Sequence, residues 1–154
     1  MALRIFRRRR DARGANLIEA AIITPLVLLV TFAIIDFGAI FYVWLSLQNG
    51  VSQASRFGVT GNTMPSMSRE ASVRQALIDA TPTITIPAGN ITFANMPVGG
   101  SSWTNGSLGA EGAIGKVTVT YTWTLLTPLV RVFFTGGQIT ISAEATMTSE
   151  RRFL

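Results

Sequence analysis

Neither cysteine nor histidine occurs in the 154 residues. The first absence removes disulfide frameworks and thiol nucleophiles, and the second removes imidazole acid–base chemistry; together they remove the usual zinc sites. Most familiar enzyme classes are excluded on this ground, and no metal or cofactor is expected. Charge is also scarce. Asp, Glu, Lys and Arg supply 14% of the chain, against about a quarter in ordinary soluble domains. Apolar residues supply 48%. That balance implies a hydrophobic partner, and a membrane is the first candidate.

The net charge of +5 resembles a nucleic-acid signal until it is located. Arg4, Arg7, Arg8, Arg9, Arg10 and Arg13, against Asp11, account for all of it, and from residue 14 onward basic and acidic side chains balance. A nucleic-acid surface needs its basic residues spread over a folded face. Here they abut an apolar run, the arrangement that retains a flank in the cytoplasm. No nucleic-acid partner is expected. Arg7, Arg8, Arg9, Arg10 and Arg13 are read as membrane-retention residues.

Between residues 20 and 47 the only charged side chain is Asp36. A stretch of this length and polarity predicts one membrane-spanning helix, with lipid as its surroundings. At ~1.5 Å per residue, residues 17–35 cover about 28 Å, close to the ~30 Å hydrocarbon core. Glu19 and Asp36 then fall near opposite interfaces. Phe37, Phe41, Tyr42 and Trp44 follow as an aromatic belt at the far headgroups, and the helix is expected to continue to about Gly58. Pro25 removes one backbone donor inside the span, so a kink is expected near Ala21. A removable secretory signal fits poorly, because the apolar stretch is about twice the usual 7 to 15 residues.

At this junction the pattern becomes specific. RGANLIEAAIITPLVLL has a basic leader, Gly14, a short gap, Glu19 and then the apolar helix. It resembles the processing site of type IV pilins and pseudopilins, in which a membrane aspartyl peptidase cuts after the glycine and leaves glutamate as the fifth mature residue. The strings IIDFGAIFYVWLSLQNGVSQASRFG, KVTVTYTWTLLTP and ISAEATMTSER are similar to the TadE family of tight-adherence pilus proteins. The resemblance implies a minor pilin-like component that supports assembly of an adhesive pilus at the bacterial inner membrane. It implies cleavage between Gly14 and Ala15 by a prepilin peptidase. The implied partners are other pilin-like subunits, the major pilin of the same system and an inner-membrane assembly platform. The sequence departs from the family at Asp36, where glutamate is common, and at Ala39, where an arginine or similar polar residue is common.

Cleavage at that site would create a positive amine on Ala15. Ala15 and Glu19 lie four residues apart, about 6 Å along a helix axis, so a neighbouring subunit displaced by a similar rise would set its Glu19 against that amine. Glu19 and Asp36 are therefore the expected assembly residues. Asp36 is expected to face a partner helix or the far interface, because a lone carboxylate turned toward lipid is unfavourable.

Three regions follow: a basic cytoplasmic leader over residues 1–14, the membrane helix and its exported extension over 15–58, and an exported head over 59–154. In the head, Ser68 is placed to cap a helix carrying Val73, Ala76, Leu77 and Ala80 on one face, stopped by Pro82. Residues 83–86 and 91–96 read as short strands. Residues 99–115, with six glycines, read as a turn or loop. Residues 116–125 and 138–149 alternate strictly between apolar and Thr-, Ser- or Glu-bearing positions, which predicts two half-buried strands paired antiparallel. Between them, Leu129, Val130, Val132, Phe133 and Phe134 form an apolar corner that either folds over the sheet or docks a partner. The fold class is α+β: a long N-terminal helix and a head with one short helix and an antiparallel sheet.

Two other classes fit the layout less well. A membrane-anchored β-rich head is generic enough to be a ligand-binding module outside any pilus. Ser66-Met67 and Lys116 give the outline of a serine-lysine membrane peptidase, but the proline after the methionine and the arginine after the lysine are missing.

Overall fold

The computed structural model describes residues 11–149, with side chains from Gly14 onward. Arg7, Arg8, Arg9 and Arg10 lie outside the described residues, as does the side chain of Arg13. The first element is a single helix, α1 (Asp11–Val59), which runs through Pro25 without a break in its assignment and ends one residue beyond Gly58. It is long and apolar enough to cross a membrane, and no residue of its most apolar window is covered by the rest of the chain. A core helix of a soluble protein would be covered there.

Above Asp36 the same helix changes character. Val43, Leu47, Val51 and Ala54 are buried, and their spacing of four, four and three places them on one face. That face meets α2 (Arg69–Asp79) through Val73 and Leu77. It meets the sheet through Val117, Val119, Ile141, Ala143 and Met147. Ser68 caps α2 as expected, its side chain accepting a hydrogen bond from the Ala71 N–H at 3.2 Å. The helices approach closely at Gly50, where a Cβ would come within 2.6 Å of Thr81 Cγ2.

The sheet consists of β1 (Ile91–Met96), β2 (Thr104–Asn105), β3 (Ile114–Thr124) and β4 (Gln138–Thr148), in the order β2-β1-β3-β4 with every pair antiparallel. Between β3 and β4, Ile114 pairs with Thr148 and Thr124 with Gln138. This register places Val117 beside Ala145, Val119 beside Ala143 and Tyr121 beside Ile141. The apolar side chains of both strands consequently share the face toward α1, and the threonines share the other.

Two expectations need correction. Residues 83–86 form no strand. Ile84 and Ile86 are buried and alternate with exposed Thr83 and Thr85, but on the edge of β1 away from β3, Ala94 and Asn95 are taken by β2. The segment keeps the side-chain alternation of a strand without a ladder to join. The glycine-rich stretch 99–115 is more ordered than a turn: it holds β2 and the start of β3, and Leu108 is fully buried within it.

Candidate functional site

The features expected to carry function are arranged along α1 from its N-terminal end to its junction with the head. Gly14, Ala15 and Glu19 are all exposed on the helix. A Cβ at Gly14 would meet nothing within 4 Å. The folded chain therefore gives no steric reason for a glycine there, although glycine inside a helix is disfavoured by about 1 kcal/mol relative to alanine.

Asp36 is 1% exposed. Its Oδ1 accepts the Leu126 N–H at 2.7 Å, and its Oδ2 accepts the Thr127 N–H at 3.3 Å together with the Thr127 hydroxyl. Leu126 and Thr127 follow the end of β3, and their N–H groups have left the sheet ladder. Thr127 stands in an extended conformation at the N-cap of the short helix α3 (Pro128–Arg131), but its hydroxyl makes no capping bond because it is turned to Asp36. Within this chain, the carboxylate meets the backbone and one hydroxyl of the head.

The loop that reaches Asp36 is tied down on its other side. Arg131 donates from Nε to the Leu125 carbonyl at 2.7 Å, and Leu125 donates its N–H to the Gly137 carbonyl at 3.1 Å. Gly137 has φ of 66°, and a Cβ there would press on the Arg131 stem at 3.1 Å, so both backbone and packing require glycine. Tyr42 adds a second junction, its hydroxyl donating to Thr83 Oγ1 at 2.8 Å. The expected belt is otherwise outward: Phe37, Phe41, Tyr42 and Trp44 are exposed, with Phe41 and Trp44 stacked at 5.7 Å.

Residues 128–134 do not fold over the sheet as core. Val130 alone is buried, and Leu129, Val132 and Phe133 are exposed. At the opposite end of the head, Arg69 donates to the Gly58 carbonyl at 3.1 Å, the Gly109 carbonyl at 2.9 Å and Ser149 Oγ at 3.0 Å. It thereby joins the end of α1, the glycine-rich stretch and the residue after β4. Arg69 is the first residue of α2. A cation at a helix N-terminus opposes the helix dipole, and that conflict was the available sign of another role.

Lys116 pairs with Glu144 at 3.9 Å and lies 4.6 Å from the Trp103 ring centroid. Ser66 lies in the exposed loop after α1 with φ of 63°. Among the described residues, no cluster of carboxylates suited to a metal is found.

No curated protein and no solved structure matches this chain. The family model of TadE-like proteins matches residues 14–56. Its first matched residue is Gly14, and the stretch includes Glu19, Asp36 and the aromatic belt. The head strings that resembled the family lie beyond its last residue. The segment from the glycine before the apolar run to Arg56 near the end of α1 is thus similar to a TadE-like domain, and the match does not extend to the head.

Proposed function

We propose that this chain is a minor pilin-like subunit of a tight-adherence type IV pilus. A prepilin peptidase cuts after Gly14, and the mature chain begins at Ala15. The arginine-rich leader holds the N-terminus in the cytoplasm, α1 crosses the inner membrane, and the head stands on the far side. There it supports assembly with other pilin-like subunits, the major pilin and the assembly platform, and it carries no catalysis of its own. The observation that carries this reading is the TadE-like match beginning at Gly14, five residues before Glu19 and at the head of the apolar run.

Glu19 has the central mechanistic role in this reading. Once Ala15 carries a free amine, a helix leaving the lipid has two charges that need partners, and a neighbouring subunit supplies them reciprocally. Removing one partner from a packed low-dielectric bundle costs about 3 to 5 kcal/mol, enough to stop assembly without touching the head. Glu19→Gln keeps the shape and removes the charge. The expected result is processed, membrane-resident protein that no longer supports piliation; normal pili from this variant would overturn the assignment.

A further inference from the structure

We propose that residues 126–134 form a second membrane contact, a lipid-facing tip by which the head sits down on the bilayer beside its own helix. The proposal rests on the reading of α1 as a membrane span and extends it to the head.

The tip's level is set by hydrogen bonds. Residues 17–35 use up about 28 Å of a ~30 Å hydrocarbon core, so Asp36 marks where α1 leaves the acyl chains. Asp36 holds Leu126 and Thr127 beside it. β3 descends toward this level and β4 climbs away from it, since Ser149, just after β4, meets Arg69 beside Gly58 near the far end of α1. The connection between the two strands is therefore the part of the head nearest the span.

Its surface is apolar where a water-facing turn would be polar. Leu126 and Leu129 are about half exposed, and Val132 and Phe133 are 78% and 68% exposed. Phe37 and Phe41 of α1, just above Asp36, are exposed as well. Both sets lie at the end of the head marked by the Asp36 junction, and exposed apolar surface of this kind marks an interaction surface. Charge is missing from the same end. From Val117 to Ala143 the single charged side chain is Arg131, and α1 carries none from Phe37 to Ser55. The next charges along the hairpin, Lys116 and Glu144, lie toward its far end and pair with each other. Arg131 is exposed although its Nε is held on the Leu125 carbonyl, and one arginine beside an apolar tip matches the acyl and phosphate boundary. Continuity with the span makes lipid the occupant, because the tip begins where the lipid-exposed face of α1 ends.

The native lack of cysteine allows single-site labelling. The full chain carrying Phe133→Cys, Val27→Cys or Thr146→Cys is tagged with a nitroxide and reconstituted into phosphatidylethanolamine and phosphatidylglycerol vesicles, and collisions with oxygen and with a water-soluble nickel chelate are measured. At Phe133→Cys the oxygen collision rate is expected to rise and the nickel rate to fall several-fold relative to Thr146→Cys, at a depth shallower than Val27→Cys. A Phe133→Cys label as aqueous as Thr146→Cys, with Val27→Cys still deep, overturns the tip and leaves the span intact. Shielding of Phe133→Cys from both reagents means that protein covers it, which also overturns the proposal. An aqueous Val27→Cys label removes the span itself, and the proposal with it.

Discussion

Thr127 donates both its backbone N–H, at 3.3 Å, and its hydroxyl to Oδ2 of Asp36, a residue 91 positions earlier in the chain. With the Leu126 N–H on Oδ1 at 2.7 Å, one carboxylate satisfies three donors from the lowest connection of the head. Tyr42 and Thr83 make the next junction up the helix, and Arg69 closes the far end. The head is thus fastened to α1 at three junctions along their contact.

Asp36→Leu leaves the Leu126 and Thr127 N–H groups without partners in a partly buried place, each costing toward the lower end of about 1 to 3 kcal/mol. Thr127→Val removes only the hydroxyl and should cost roughly 1 kcal/mol. Thermal unfolding of the full chain in micelles should rank the wild type above Thr127→Val and Thr127→Val above Asp36→Leu. The double variant should be no less stable than Asp36→Leu, because both changes act on one interaction. Additive losses would mean that the two residues act separately.

Arg69→Met removes donors to two carbonyls and a hydroxyl. Hydrogen bonds from a charged donor contribute about 1.5 to 3 kcal/mol each, so this change should be among the most damaging in the head. Amide hydrogen exchange should accelerate at the end of α1 and around Gly109 while the Asp36 junction keeps its protection. Unchanged protection around Gly58 would contradict the assigned role.

Gly50→Ala tests the closest approach of the two helices. Alanine adds up to about 1 kcal/mol of helix propensity, but its methyl meets Thr81 Cγ2, and overpacking of this kind costs roughly 1 to 3 kcal/mol. Net destabilisation is expected. Thr81→Ser deletes the offending methyl and keeps the hydroxyl that donates to the Leu77 carbonyl at 3.0 Å. The pair Gly50→Ala, Thr81→Ser should therefore recover most of the loss, which melting temperatures will show.

Much of this architecture is local and for that reason legible. The strands β3 and β4 follow from apolar-polar alternation, α2 from its serine cap, and the long apolar helix from an uncharged run. What was not legible depends on distant partners. Ile84 and Ile86 alternate like strand residues, but their segment joins no strand of the sheet. Leu108 is buried within a stretch whose glycines suggested only a loop. Asp36 was recognised as a polar residue that needed a partner, yet nothing near it in the sequence identified Leu126 and Thr127. The corner after β3 left core and docking surface as alternatives, and the burial of Val130 alone excludes the first for most of its residues.

The central claim is that this chain is a processed pilin-like subunit, and the first residue of the protein recovered from membranes tests it most directly. N-terminal sequencing should read Ala15, and Gly14→Val should leave the arginine-rich leader attached: the folded chain itself has room for a side chain at that position, whereas on the proposed reading a peptidase cleft must admit the bare backbone there. A wild-type protein that keeps its leader, or a Gly14→Val variant that still begins at Ala15, would contradict the account.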